Sequence, residues 1–154
     1  MRSNQVRAMR RKGFTLVELL IVIIIIGILA GAMLLVMGSG TDSAEATKIV
    51  SDLRSLKSAA LLYYGDHPKQ ETAPTTEDLK KYMDREETVL TDYETVNVSA
   101  DSSWWVANNS KKPIESPGVR QKLEDRQKEA ALYAAPTESQ PYKKEGKFVY
   151  MKMR

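Results

Sequence analysis

The chain has 154 residues, enough for one modest folded domain and a membrane segment but too few for two full domains. Its formal charge of +3 is concentrated at the start: Arg2, Arg7, Arg10, Arg11 and Lys12 precede Gly13 with no acid among them, so of 23 basic residues the remaining 18 face 20 acidic ones and the body is at −2. That balance argues against a nucleic-acid surface, which needs clustered Lys and Arg on a fold, and the absence of cysteine excludes disulfides, thiol nucleophiles and thiolate metal sites.

Residues 14–37, FTLVELLIVIIIIGILAGAMLLVM, form an apolar run interrupted only by Thr15, Glu18 and small residues. At 1.5 Å per residue it spans roughly 36 Å, enough to cross a bilayer. The basic cluster ahead of it predicts a cytoplasmic N-terminus, with everything after Met37 on the far side. Gly38, Ser39 and Gly40 mark a kink point, and Asp42 followed by Glu45 resembles a capping box restarting a helix, so the helix is expected to continue with a bend. From Ala46 onward, Ile49, Leu53, Leu56, Ala60 and Tyr63 recur at three- and four-residue spacing, with Lys48, Asp52, Arg54 and Lys57 mostly on other faces. A helix from Phe14 to Tyr64 is roughly 75 Å long, so its amphipathic second half must pack on something outside a membrane.

Asp66-His67-Pro68 ends that helix, and a polar loop runs to Thr76. A short helix over 77–85 places Leu79, Tyr82 and Met83 together. Residues 88–99 and 103–107, rich in β-branched and aromatic side chains, predict two antiparallel strands joined through Ala100-Asp101-Ser102. Ser116-Pro117 opens a helix to Tyr133, because Ser suits the cap and Pro the first helical position. Pro136 and Pro141 bracket a loop. The terminal segment 147–153 predicts a strand with Val149, Met151 and Met153 on one face and Phe148, Tyr150 and Lys152 on the other, covered on both sides.

The segment Lys12-Gly13-Phe14-Thr15-Leu16-Val17-Glu18-Leu19-Leu20 joins a basic leader, a glycine, an aromatic residue and a buried-type acid to a long apolar run. This combination resembles the processing and assembly motif of type IV pilins and type II secretion pseudopilins, closely over residues 7–37 and by layout along the rest. The resemblance implies cleavage between Gly13 and Phe14 by a prepilin peptidase, N-methylation of Phe14, and assembly into a homopolymer on an inner-membrane platform driven by a cytoplasmic ATPase. Physics fits that order: five positive charges beside the apolar helix hold it in the cytoplasmic leaflet, and a trimmed end carries one. The resemblance also implies that Glu18 pairs with the amino terminus of Phe14 on a neighbouring subunit, a pair that gives register more than net stability.

Other readings of the same residues stay open. Glu18 sits about 6 Å from Phe14 along the helix axis and can snorkel to the headgroups. Ala30-Gly31-Ala32 resembles a signal-peptidase site, although an acid within the apolar region and five apolar residues after Ala32 argue against it. A plain signal anchor holding an extracytoplasmic binding module is a further alternative. Gly27 and Gly31 form a GxxxG spacing suited to close helix approach. The proline that family members often carry further along this helix is missing, so any bend must come from glycines.

Elsewhere the chain gives little chemistry. His67 is the only histidine and reads as a loop residue, and no nucleotide, zinc or EF-hand motif is present. Glu86-Glu87 and Glu124-Asp125 read as solvated charge. Trp104 and Trp105 must face opposite sides of a strand, one into the core and one either exposed or covered by the domain's own loop. The loop 137–147, with only Glu138 and Glu145, does not suit the calcium site of major pseudopilins. Two sequons, at Asn97 and Asn108, carry little weight.

The expected architecture is α+β: a long N-terminal helix, apolar then amphipathic, packed on a small antiparallel sheet. Its expected parts are a removed leader (1–13), a transmembrane and filament-core helix half (14–37), an amphipathic half (38–65) and a globular domain (66–154). The expected function is a filament subunit of a type IV pilus, with a type II secretion pseudopilus as the alternative. It is not an enzyme, needs no cofactor or metal, and resides in the inner membrane before joining a cell-surface or periplasmic fibre.

Overall fold

In the computed structural model, residues 13–83 and 91–154 are described, with the side chains at 35–39 left aside. The chain forms two compact units, Met1–Gly38 and Ser39–Arg154. Helix α1, Leu16–Asp66, is hydrogen-bonded without interruption through Gly38, Ser39 and Gly40. The helix therefore continues as expected, and the capping-box pattern at Asp42 and Glu45 does not mark a helix start. Instead the Asp42 carboxylate accepts a hydrogen bond from Ser116 Oγ at 2.8 Å.

The second unit is α+β. Four strands, β1 (Tyr93–Val98), β2 (Ser103–Asn108), β3 (Leu132–Tyr133) and β4 (Tyr150–Lys152), form one sheet in the order β1-β2-β4-β3 with every pairing antiparallel. The outer half of α1 buries Ala46, Val50, Leu53, Leu56, Ala59 and Ala60 against Trp104 and Val106 of β2 and Val149, Met151 and Met153 around β4. This is the amphipathic stripe predicted from spacing. Ile49 and Tyr63 of that stripe are only half-buried, and Asp52, grouped with charges mostly on other faces, is 1% exposed and accepts a hydrogen bond from the Tyr93 hydroxyl at 3.2 Å. Asp52 lies three residues after Ile49 and four before Leu56, so the helical period itself puts it on the buried side.

Helix α2, Thr76–Leu79, begins with a capping box in which Thr75 and Asp78 bond each other's backbone N–H, and a 3-10 turn follows at Lys80–Tyr82. The expected helix to residue 85 thus ends earlier, and positions 84–85 lie outside the described residues. The first strand begins at Tyr93 rather than 88, with 88–90 also outside the description. Its hairpin with β2 turns through Ala100-Asp101-Ser102 as predicted, with Ser102 at φ 55° and Asp101 accepting from Ser103 N.

Helix α3, Pro117–Asp125, opens on Ser116, whose hydroxyl accepts from Val119 N. It was expected to reach Tyr133. It stops at Arg126, a one-turn helix α4 covers Gln127–Ala130, and Ala131 takes a left-handed conformation at φ 52°. Leu132 and Tyr133 then pair with Met151 and Tyr150, so a sheet edge, where the backbone finds partners from another element, overrides local helix propensity. At the terminal strand the alternation is as predicted: Val149, Met151 and Met153 are buried. The opposite face, Phe148, Tyr150 and Lys152, is only half covered, not enclosed as expected.

Candidate assembly and processing segment

Gly13, Phe14 and Thr15 precede α1 and are exposed, Phe14 at 86%. The helix begins where it does because Thr15 and Glu18 form a reciprocal cap. Thr15 N and Thr15 Oγ1 both donate to Glu18 Oε2 at 2.8 Å, and Glu18 N donates to Thr15 Oγ1 at 3.2 Å. The spacing Thr-x-x-Glu signals this box, yet composition alone makes Thr15 look like a mere interruption. The single chain thus gives Glu18 a local partner and leaves its side chain exposed beside the end of the helix.

Beyond the cap, Leu16–Leu34 is a 19-residue stretch of mean hydropathy 2.9 in which no residue is buried within the protein. Nineteen residues rise about 28 Å, close to the hydrocarbon thickness of a bilayer. Ile21, Val22, Ile23, Ile24, Ile25 and Ile26 succeed one another at about half exposure, so no polar face interrupts the cylinder. Such a helix needs an apolar surrounding on every side. Gly27 and Gly31 leave gaps on its surface: a Cβ at either position meets nothing within 4 Å. The structure therefore places Gly27 and Gly31 on one bare ridge, and Phe14 and Glu18 at one end of the same helix.

Among the described residues the folded unit carries no second centre of comparable kind. His67 stacks on Tyr63 at 4.3 Å with Nδ1 3.1 Å from the Tyr63 carbonyl, a cap on the end of α1. Trp104 and Trp105 do face opposite sides, and both are buried. Trp104 packs in the core and donates to Glu71 O at 3.2 Å. Trp105 donates to Ser103 Oγ at 2.7 Å and is covered edge-on by Tyr133 at 5.4 Å, so the domain closes over it. Among the described residues no group of three or more His, Asp or Glu side chains is arranged to hold a metal ion. Asn97 is exposed, whereas Asn108 is buried and spends its amide on Val149 N, Lys112 O and Lys147 O.

Burial is the main perturbation of the tyrosines Tyr93 and Tyr142. It pushes the Tyr142 hydroxyl up to about 12. Burial, with the facing Asp52 carboxylate second, also holds Tyr93 well above the usual tyrosine range. Neither residue is poised to exchange a proton near neutrality.

Residues 8–34 match the family described as "Prokaryotic N-terminal methylation motif". The type II secretion system core protein G of Klebsiella michiganensis is 39% identical over 71 residues, covering 46% of this chain and 48% of that protein. Its counterpart in Pectobacterium carotovorum subsp. carotovorum is 36% identical over 80 residues, covering 52% and 49%. Fimbrial protein Q of Moraxella bovis is 44% identical over 61 residues, covering 38% and 39%. The chain therefore spans about half the length or less of these curated relatives. Among solved structures, the major type IV pilin PilA1 from Clostridium difficile superposes with a TM-score of 0.55 at 22% identity, over 75% of this chain and 98% of that one. That likeness shows the fold.

Proposed function

We propose that this chain, which belongs to the type IV pilin and pseudopilin family, is a structural subunit that is cut after Gly13, methylated on the new amino group of Phe14 and polymerised into a filament. The observation that supports this most is the apolar helix Leu16–Leu34, headed by Gly13-Phe14 and capped by Glu18, in which no residue is buried. Before assembly, lipid supplies its apolar surroundings and the folded unit lies outside the cytoplasm. In the filament, the same helix on other copies replaces lipid, and the gaps at Gly27 and Gly31 let backbones approach.

The partners in this reading are further copies of the chain, a prepilin peptidase, and an inner-membrane platform with a cytoplasmic ATPase. The peptidase acts first, because the basic leader resists withdrawal from the membrane. Glu18 then exchanges its local partner Thr15 for the amino terminus of a neighbour's Phe14, fixing the axial position of the incoming helix. The domain division follows: leader 1–13, core helix 14–37, amphipathic half 38–65, and globular remainder 66–154. The fibre is a cell-surface pilus or a periplasmic pseudopilus. The matches to a fimbrial protein and to secretion core proteins support the two settings equally.

Intact mass of the protein from membranes and sheared fibres tests the reading. A methylated chain beginning at Phe14 is expected. One beginning at Met33 would indicate ordinary secretion, and a full-length working protein an anchor, and either result overturns the proposal. Glu18→Ala is expected to leave cleavage intact and to lose fibres, and normal fibres from that variant would refute the assembly role of Glu18.

A further inference from the structure

The face of α1 turned away from the core holds a groove of about 470 Å³ between the helix and α4, bordered by Ser51, Arg54, Ser55, Ser58, Arg126 and Glu129. Its two guanidiniums have only neutral oxygen partners among the described residues. Arg54 donates to the Glu129 carbonyl at 3.4 Å, and Arg126 donates to Thr47 Oγ1 at 2.6 Å and Ser43 Oγ at 3.1 Å. Arginine is the side chain best shaped to hold a carboxylate in two parallel bonds, and both retain donors for one.

A second groove, of about 310 Å³, lies along a different flank of the same helix segment, where Glu45, Lys48, Asp52, Asp92, Lys112 and Glu115 gather. Four carboxylates face two lysines there, and Lys112 is already paired with Asp92. Glu115 is held from outside the groove by Lys147 at 2.9 Å. Glu45 is exposed and forms no ion pair among the described residues.

Among the described residues, this stretch of α1 is thus flanked on one side by the Arg54 and Arg126 guanidiniums, without a carboxylate partner, and carries on another the Glu45 carboxylate, without a cationic one. Two different, complementary patches on one molecule cannot satisfy each other within it. Between copies they make a head-to-tail contact that repeats without closing, which is the geometry of a fibre. We infer that the Arg54 and Arg126 groove of one copy receives the Glu45 flank of the next. This rests on the filament reading above and names the contact that the folded units add to the helix core. Charge complementarity sets which neighbour docks and in what register, more than how tightly it holds.

The test uses the full chain in cells that make its fibres. Arg54→Glu and Glu45→Arg are each expected to lose sheared fibre, and the double variant to recover it. A second measurement does not depend on charge-altered chains folding. The natural chain has no cysteine, so fibres mixed from Ser55→Cys and Lys48→Cys chains can be treated with a short bis-maleimide. A dimer from the mixed fibres in excess of either chain alone is expected. Single variants with normal fibres, a double variant without recovery, or cross-links to another protein in place of a second copy would each overturn the contact and leave the filament reading standing. A wild-type chain that forms no fibre would overturn the filament reading and this contact with it.

Discussion

The two halves of α1 are continuous in backbone and opposite in surroundings. From Leu16 to Leu34 no side chain is buried, although the segment is the most apolar in the protein. From Ala46 to Ala60 seven side chains, Asp52 among them, are buried on one stripe, although charged residues are interleaved throughout. Burial here follows periodicity rather than hydropathy: a helix with one apolar face finds its partner within the chain, and one apolar all round has to find it elsewhere.

The largest expected break in that contrast comes from shortening one residue in each half. Leu53→Ala opens a cavity under the sheet and is expected to cost about 2 to 5 kcal/mol of unfolding free energy, measured by denaturant titration of the full chain in detergent. Ile24→Ala, on the uncovered half, is expected to leave that midpoint unchanged. Gly118→Ala probes how closely the outer half is tied to α3. A methyl there overlaps the Asp42 carboxylate, so a loss of about 1 to 3 kcal/mol is expected by the same titration. Tyr93→Phe removes a donor from buried Asp52 and is expected to cost about 1 to 3 kcal/mol.

The smallest effect sharpens the comparison between the two capping boxes, Thr15 with Glu18 and Thr75 with Asp78. Thr75→Ala is expected to lower stability by about 1 kcal/mol. The side-chain hydrogen bond from Thr75 holds the Asp78 carboxyl below its ordinary 3.8. A carboxyl depressed by folding contributes stability above its unfolded pKa and loses it as pH falls through the folded value. The difference between the wild type and Thr75→Ala should therefore be largest at neutral pH and narrow in acid as pH falls below about 3.8, leaving the part due to the Asp78 N to Thr75 Oγ1 bond, readable by circular dichroism.

Where a feature was legible in the sequence, one local rule settled it. The apolar run, the stripe from Ala46 to Ala60, the Ser116-Pro117 start of α3 and the alternation from Phe148 to Met153 each follow from spacing or from a cap. The terminus of α3 does not. Leu132 and Tyr133 continue a good helical pattern, and only their ladder with β4, contributed from nearly twenty residues further on, takes them out of it. Asp52 shows a different failure: its position on the stripe was visible, but its charge argued for solvent, and the Tyr93 hydroxyl that accommodates it lies 41 residues away. At the proposed processing segment, Gly13, Phe14 and Glu18 were singled out by type and order. The bond from Thr15 to Glu18 followed from a three-residue spacing that the surrounding hydrophobicity obscured.

Strand β4 is the last of the four strands in sequence yet lies inside the sheet, between β2 and β3. The sheet therefore cannot close until β4 has been made. Until residues 150–152 arrive, β2 keeps an open rim of hydrogen-bonding groups beside two tryptophans, a surface that invites pairing with a stranger. Speed of closure, set by contacts far apart in sequence, then governs how many newly delivered chains mature and how many clump.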